Sequence, residues 1–226
     1  MTARVDDGGV GGSPVRLETP RLVLVVLGPR GAARMAGYQT VNRGFHEAWN
    51  PPRGEAFYTP AFWRTRLAEQ RTEFTAGNAL QLTLLSRDDE RHGAVLGTLG
   101  FTRFEWRATS RCQVGYALAQ AAEGRGLMFE ALTAGLAYVV GKLGVHRVSA
   151  DYNPLNERSG AVLRRAGFET EGYAKRFLYS NGAWKDQVRT AYVAATDAPP
   201  RAEGPGPWPR GTFTSGPGAA GGTGAA

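Results

Sequence analysis

A single cysteine, Cys112, occurs in 226 residues, so no disulfide can close within the chain. His46, His92 and His146 are scattered and share no ligand spacing with it, which leaves no metal site to expect. No apolar run approaches the roughly 20 residues that cross a bilayer. The opening Met1-Thr2-Ala3-Arg4-Val5-Asp6-Asp7 has no hydrophobic segment of a secretory signal. A disulfide scaffold, a secreted protein and a membrane-spanning one are set aside in favour of a soluble, cytoplasmic chain. Nor do the charges form blocks: the formal net charge is +7, but Lys and Arg are dispersed and no aromatic RNA-binding signature accompanies them. The surplus favours an anionic partner, a nucleotide cofactor or a ribonucleoprotein surface, with no direct nucleic-acid motif and no membrane partner.

Periodicity is missing at both ends. Residues 1–15 are Gly-rich, and from Ala198 onward Pro, Gly and Ala dominate. Such segments bury too little apolar surface to offset the entropy of ordering them. One domain is therefore expected over residues 16–197, between a disordered N-terminal segment (1–15) and a disordered Pro/Gly/Ala-rich tail (198–226). That length supports one substantial core.

Inside the domain, residues 21–27 read as a buried strand and 30–43 as a helix after Gly28-Pro29. A second helix is expected over 61–76, ended by Gly77, beyond an aromatic, Pro-rich loop. Strands are expected over 80–85, 94–104 and 111–119. Met128, Leu132, Leu136, Val139 and Leu143 then recur at helical spacing, with Gly144 as a stop. Residues 147–152 alternate as a strand, Asn156 caps a short helix that ends at Ala166-Gly167, and Phe168 begins another strand. Asn181-Gly182 marks a tight hairpin between the last two strands. The order is β-α-α-β-β-β-α-β-α-β-β.

The most informative stretch joins the strand over 111–119 to the long helix. Gly124-Arg125-Gly126 opens directly into Leu127-Met128-Phe129-Glu130-Ala131-Leu132, so several backbone N–H groups gather at a helix start where the macrodipole also favours an anion. A dinucleotide fingerprint would need a third glycine at position 129, which is Phe; a P-loop would need Lys-Ser/Thr where Leu127-Met128 stand. A phosphate seat of another kind is implied.

That order, with a Gly-x-Gly turn between the fourth strand and the third helix, resembles the GNAT acetyltransferase superfamily. Leu17-Glu18-Thr19-Pro20-Arg21-Leu22-Val23-Leu24, Glu123-Gly124-Arg125-Gly126-Leu127-Met128-Phe129-Glu130-Ala131-Leu132 and Asn156-Glu157-Arg158-Ser159-Gly160 are similar to segments of its RimJ/RimL-type N-acetyltransferases, which include ribosomal-protein alanine N-acetyltransferases. The resemblance implies a mixed α/β (α+β) GNAT fold: a mostly antiparallel twisted sheet flanked by helices. Its fourth and fifth strands, 111–119 and 147–152, lie parallel and splay apart. It implies acetyl-CoA as co-substrate, with Leu118 and Ala119 meeting the pantetheine amides as an added strand would. The N–H groups of Glu123, Gly124, Arg125, Gly126 and Leu127 would seat the pyrophosphate. The Arg125 side chain is either a phosphate contact or a surface group. The chain departs from the superfamily at Ala121, where Gln or Arg is usual, and Glu123 sets an acid beside the diphosphate.

The implied reaction is attack of a neutral amine on the thioester, most simply the N-terminal α-amine of a protein such as a ribosomal protein. The resemblance assigns Ser159 to protonation of the leaving thiolate and Asn156 to holding CoA; helix capping is the rival role for Asn156. The RimL-type glutamate base would fall near Leu178, which cannot titrate. Glu105, near the end of the strand over 94–104, is the substitute that the resemblance suggests, followed by His46 and Glu47. Phe45, Trp49, Phe57, Tyr58 and Trp63 cluster where the acceptor cleft would open. A small-molecule amine acetyltransferase and a non-catalytic CoA- or ribosome-binding protein are the alternative readings.

Overall fold

A computed structural model describes residues 10–196 and 208–214. Nine strands form one sheet among them: β1 (Val15–Glu18), β2 (Leu22–Val25), β3 (Leu80–Ser86), β4 (Gly97–Glu105), β5 (Arg111–Leu118), β6 (Arg147–Tyr152), β7 (Glu169–Ser180), β8 (Ala183–Val193) and β9 (Gly211–Thr214). Their spatial order is β7-β8-β6-β5-β4-β3-β2-β1-β9. All neighbours are antiparallel except β5 with β6 and β1 with β9. The helices are α1 (Ala32–Val41), α2 (Arg43–Glu47), α3 (Pro60–Thr75), α4 (Leu127–Gly141) and α5 (Glu157–Arg165). None is long and apolar enough to cross a membrane.

Strand β2 shows why the sheet is covered on both faces. Leu22, Leu24 and Val26 join the apolar layer that includes α4, whereas Val23, Val25 and Leu27 join the layer of Met35, Ala36, Trp63 and Leu67 from α1 and α3. A period-two strand with both sets apolar must be central. Helix α4 lies close on β4 because Gly135 faces Leu99 and Phe101; a Cβ there would stand 2.8–2.9 Å from their side chains. The Thr59 hydroxyl caps α3 by accepting from Phe62 N–H at 3.3 Å. Asn181 and Gly182 both take positive φ, 52° and 75°, as the two-residue β7–β8 turn requires.

The expected elements recur with three additions: β1, α2 and β9. The chain is ordered beyond both expected domain limits. Val10 and Val15 are buried, and the Ser13 hydroxyl donates to the Val15 carbonyl, so residues 10–15 pack against the domain rather than forming a disordered lead. At the other end residues 208–214 contradict a tail disordered throughout 198–226. Trp208 is 3% exposed, its ring meets Phe74 and Phe104 edge-on, and β9 runs parallel to β1 from Val15↔Gly211 to Glu18↔Thr214. Apolar burial of an indole outweighs the Pro/Gly-rich composition around it. The remaining residues of both expected end segments lie outside the described ones.

Candidate active site

The site begins with a broken strand pairing. Strands β5 and β6 pair only at Arg111↔Arg147, Cys112↔Val148 and Gln113↔Ser149, and then part. Beyond Gln113, β5 remains paired with β4 as far as Gly97↔Leu118. Ala119 N–H donates to the Leu96 carbonyl at 2.8 Å, so by antiparallel alternation Val114, Tyr116 and Leu118 turn their backbone groups the other way, into the gap. His46 confirms this direction: its Nε2 lies 3.0 Å from the Leu118 carbonyl. An acceptor-only carbonyl requires that nitrogen to carry the proton, which leaves Nδ1 as the lone-pair nitrogen of the neutral ring.

This geometry divides the two residues expected to meet a pantetheine. Leu118 presents its backbone to the gap. Ala119 does not, because its N–H is held by Leu96 and its carbonyl accepts from Ala122 N–H at 2.9 Å. The expectation for Ala119 is corrected accordingly.

At the end of β5 the chain makes a 3-10 turn, Gln120–Ala122, and enters the glycine segment. Buried Asn42 pins that turn by accepting from Gln120 N–H at 2.9 Å. Gly124 and Gly126 take φ values of 71° and 72°, a conformation open to glycine and strained for L side chains. No atom lies within 4 Å of a Cβ built on Gly124, and on Gly126 such a Cβ would find only Arg21 Nη2, at 3.8 Å. Two left-handed residues just before α4 make a concave group of main-chain amides with open space before it, the form of an anion nest.

A clamp from the far end of the sequence holds this loop. Glu130, in the first turn of α4, accepts from the Thr19 hydroxyl at 2.6 Å, from Arg21 N–H at 2.9 Å and from Arg21 Nε at 2.7 Å. Arg21 Nη1 also donates to the Arg125 carbonyl at 2.8 Å. Burial alone would raise the Glu130 carboxyl, but the Thr19 and Arg21 hydrogen bonds and the Arg21 charge outweigh it and hold the group below the usual carboxylate range. A lowered folded value contributes stability above the unfolded value, near 4.3, that is lost as pH falls through the folded one. Glu130→Ala is therefore expected to reduce stability at pH 7 by about 2–3 kcal/mol. Denaturant melts of Glu130→Gln should also show a shallower loss of stability below about pH 5 than the parent.

One cavity of about 560 Å³ connects the parted strands to the glycine loop, lined also by α5. Of the residues singled out in the sequence, Glu123, Gly124, Gly126, Leu127, Leu118, Asn156 and Ser159 line it. Arg125 does not; its side chain is exposed, and its carbonyl is the group that matters to the loop. The cation at the cavity is Arg158, paired with Glu123 at 2.5 Å, so the acid beside the loop is already answered by charge. The sequence signal for Arg158 was its place between Asn156 and Ser159.

Asn156 caps α5, its Oδ1 accepting from Ser159 N–H at 3.1 Å. The cap engages the oxygen, so the amide nitrogen is what Asn156 has left for a ligand. The Ser159 hydroxyl lies 3.0 Å from Tyr116 Oη. Cys112 is buried on β5, and burial pushes its thiol up to about 12, so it is not a ready nucleophile.

Glu105, the base expected from the sequence, does not line this cavity. It pairs with Arg111 at the end of β4 away from Gly97, about 10 Å along β5 from where the gap opens and about 23 Å from Leu118. Both its oxygens accept from the Arg111 guanidinium at 2.8–2.9 Å, which lowers its carboxyl from the ordinary value. Glu105→Gln is expected to leave the pH–rate profile unchanged, a result that steady-state turnover across pH 5–9 would check. Asp151 on β6 and His46 are the side chains at the cavity with proton-accepting chemistry that the Glu105 expectation overlooked or placed second.

Comparison with known proteins agrees with this arrangement. A family model described as an acetyltransferase (GNAT) domain matches residues 21–169. The chain is 38% identical over 187 residues to the [ribosomal protein uS5]-alanine N-acetyltransferase of Escherichia coli, covering 83% of this chain and 95% of that one. The crystal structure of ribosomal-protein-S5-alanine acetyltransferase from Vibrio fischeri superposes with a TM-score of 0.77 at 28% identity, covering 81% of this chain and 99% of that one. Mycobacterium smegmatis RimJ in complex with CoA-disulfide gives a TM-score of 0.70 at 27% identity, over 76% and 82% of the two chains. A parted β5–β6 pair beside a two-glycine turn, a family model over residues 21–169 and relatives that match most of both chains together place this chain in the GNAT acetyltransferase family.

Proposed function

We propose that this protein transfers the acetyl group of acetyl-CoA to the N-terminal α-amine of a protein, and that the acceptor is a ribosomal protein in the cytoplasm. The observation that carries the donor half is the continuity of one cavity from the free edge of β5 to the amides of residues 123–127. The open space at Gly124 and Gly126 fits a diphosphate, and the edge of β5 at Tyr116 and Leu118, beyond its pairing with β6, fits the amides of a pantetheine arm. Similarity to the uS5-alanine N-acetyltransferase supports the acceptor half.

When bound, the thioester supplies an activated acyl carbon. The chain's own groups do the rest. The amides of Glu123 to Leu127 and the start of α4 hold the diphosphate, and Arg158 adds a cation there. Leu118 and Tyr116 fix the arm along β5, so the acyl carbon is held in the gap between the strands. An α-amine has a pKa of about 7.7–8.0, whereas a lysine amine is near 10.4, so the α-amine reaches its nucleophilic neutral form with less help. His46 Nδ1 and the Asp151 carboxylate line the same cavity and can take the proton directly or through water. Ser159 lines the same cavity, where its hydroxyl would meet the departing sulfur.

Incubating the purified protein with acetyl-CoA and either ribosomal proteins or small amines, and reading products by mass spectrometry, tests this assignment. Acetylation confined to a protein N-terminus is the expected result; transfer only to small amines would replace the acceptor, and no transfer would remove the activity.

A further inference from the structure

Tyr116 stands on the stretch of β5 that has parted from β6, with its ring packed in the core and its hydroxyl at the first turn of α5. Its Oη is 3.0 Å from Ser159 Oγ and 3.1 Å from the Ser159 carbonyl oxygen. The phenol has one proton and two acceptors within reach. If that proton goes to the carbonyl, the short Oγ–Oη contact is a hydrogen bond only when Ser159 donates its own proton to Oη, where it does not face a ligand. If the phenol donates to Oγ, the Ser159 proton is free to face the cavity. We propose that Tyr116 is a positioning residue that donates to Ser159 Oγ during acetyl transfer and so aims the Ser159 proton at the sulfur leaving group. This rests on the acetyl-transfer reading above and adds a residue to it.

An anion in the cavity selects between the two arrangements. Negative charge developing on sulfur attracts the Ser159 proton, and the oxygen so polarised becomes a better acceptor for the phenol. Close packing holds the pair in register: a Cβ on Gly160 would lie 2.8–2.9 Å from the Tyr152 ring and hydroxyl, so the first turn of α5 is pressed directly onto β6.

The same chemistry limits what the pair does. Burial pushes the Tyr116 phenol up to about 12, partly offset by its hydrogen bond to Ser159. A free thiol is far more acidic, with a pKa of about 8.5. Complete proton transfer from the phenol to the thiolate is therefore uphill. As the carbon–sulfur bond breaks, its electron pair stays on sulfur, the acceptor nitrogen releases its proton to the base and then to water, and Ser159 and Tyr116 keep the protons they began with. Ser159 thus stabilises the thiolate by a directed hydrogen bond rather than by protonating it.

Tyr116→Phe removes only the hydroxyl. Turnover of the purified enzyme is expected to fall roughly tenfold, as for loss of one hydrogen bond in the transition state, while KM for acetyl-CoA and the calorimetric affinity for CoA stay within about twofold. In a Ser159→Ala background the same substitution should have no further effect. Replacing acetyl-CoA by the acetyl thioester of a more acidic thiol should shrink the Tyr116→Phe defect, because that sulfur needs less help. Full turnover in Tyr116→Phe, an equal further loss on top of Ser159→Ala, or the same defect with both thioesters would overturn the assignment. Absence of acetyl transfer by the parent protein is a different outcome and would strike the acetyl-transfer reading itself.

Discussion

Gly126→Glu is expected to abolish CoA binding: at concentrations that saturate the parent protein, calorimetry should detect no heat, a loss of at least about 100-fold. Two effects act together. Residue 126 takes φ 72°, where an L side chain costs roughly 1–2 kcal/mol. The larger effect is charge, because a carboxylate would project into the space before the amides of residues 123–127 and repel the diphosphate those amides are shaped to receive. Arg21 Nη2, 3.8 Å from the new Cβ, is already engaged with Glu130, so it offers limited compensation. Gly126→Ala separates the two effects: it carries the backbone strain without the charge, and an affinity loss nearer tenfold is expected. If Gly126→Glu folds and binds CoA within threefold of the parent, the glycine turn is not the phosphate seat.

The second large effect concerns stability. Trp208→Ala is expected to cost about 3–5 kcal/mol, the range for emptying a buried aromatic site. For a domain of this size that lowers the melting temperature by roughly 10 °C. The indole stands edge-on to Phe74 at 5.3 Å and to Phe104 at 4.7 Å between centroids, and it covers Gly77 at the end of α3. Its Nε1–H is buried with no hydrogen-bond partner among the described residues. Trp208→Phe removes that unpaired donor while keeping a ring in the site, so its loss should stay below about 1.5 kcal/mol. An alanine variant that melts with the parent would mean that residues 208–214 do not belong to the folded domain.

Local signals carried most of the fold into the sequence. Alternation marks β6, which spans the expected 147–152, and glycine stops mark the ends of α3, α4 and α5, with Gly77, Gly144 and Gly167 all at positive φ. Strand β9 escaped because Gly-Thr-Phe-Thr is embedded in a Pro- and Gly-rich stretch, and its order depends on β1 and on Trp208 packing far away in sequence.

In the site, the glycine turn and the Asn156 cap were legible because each is made with neighbours in the chain. The Arg21–Glu130 clamp spans 109 residues and the Tyr116–Ser159 pair spans 43, distances over which no periodicity speaks. The distance of Glu105 from the cavity was hidden for a related reason. Sequence placed it correctly on a strand beside β5, but only the antiparallel register reveals that it lies at the end away from the gap. Ala119 failed through the two-residue alternation of backbone groups, which depends on which of its neighbours pairs with β4.

Crystals of the protein soaked with acetyl-CoA give the most direct test of the central claim. The account predicts the diphosphate within hydrogen-bond distance of main-chain N–H groups between Glu123 and Leu127, and the pantetheine amides bonded to the Leu118 or Tyr116 backbone along the free edge of β5. A diphosphate bound elsewhere, with those amides facing only solvent, would contradict it.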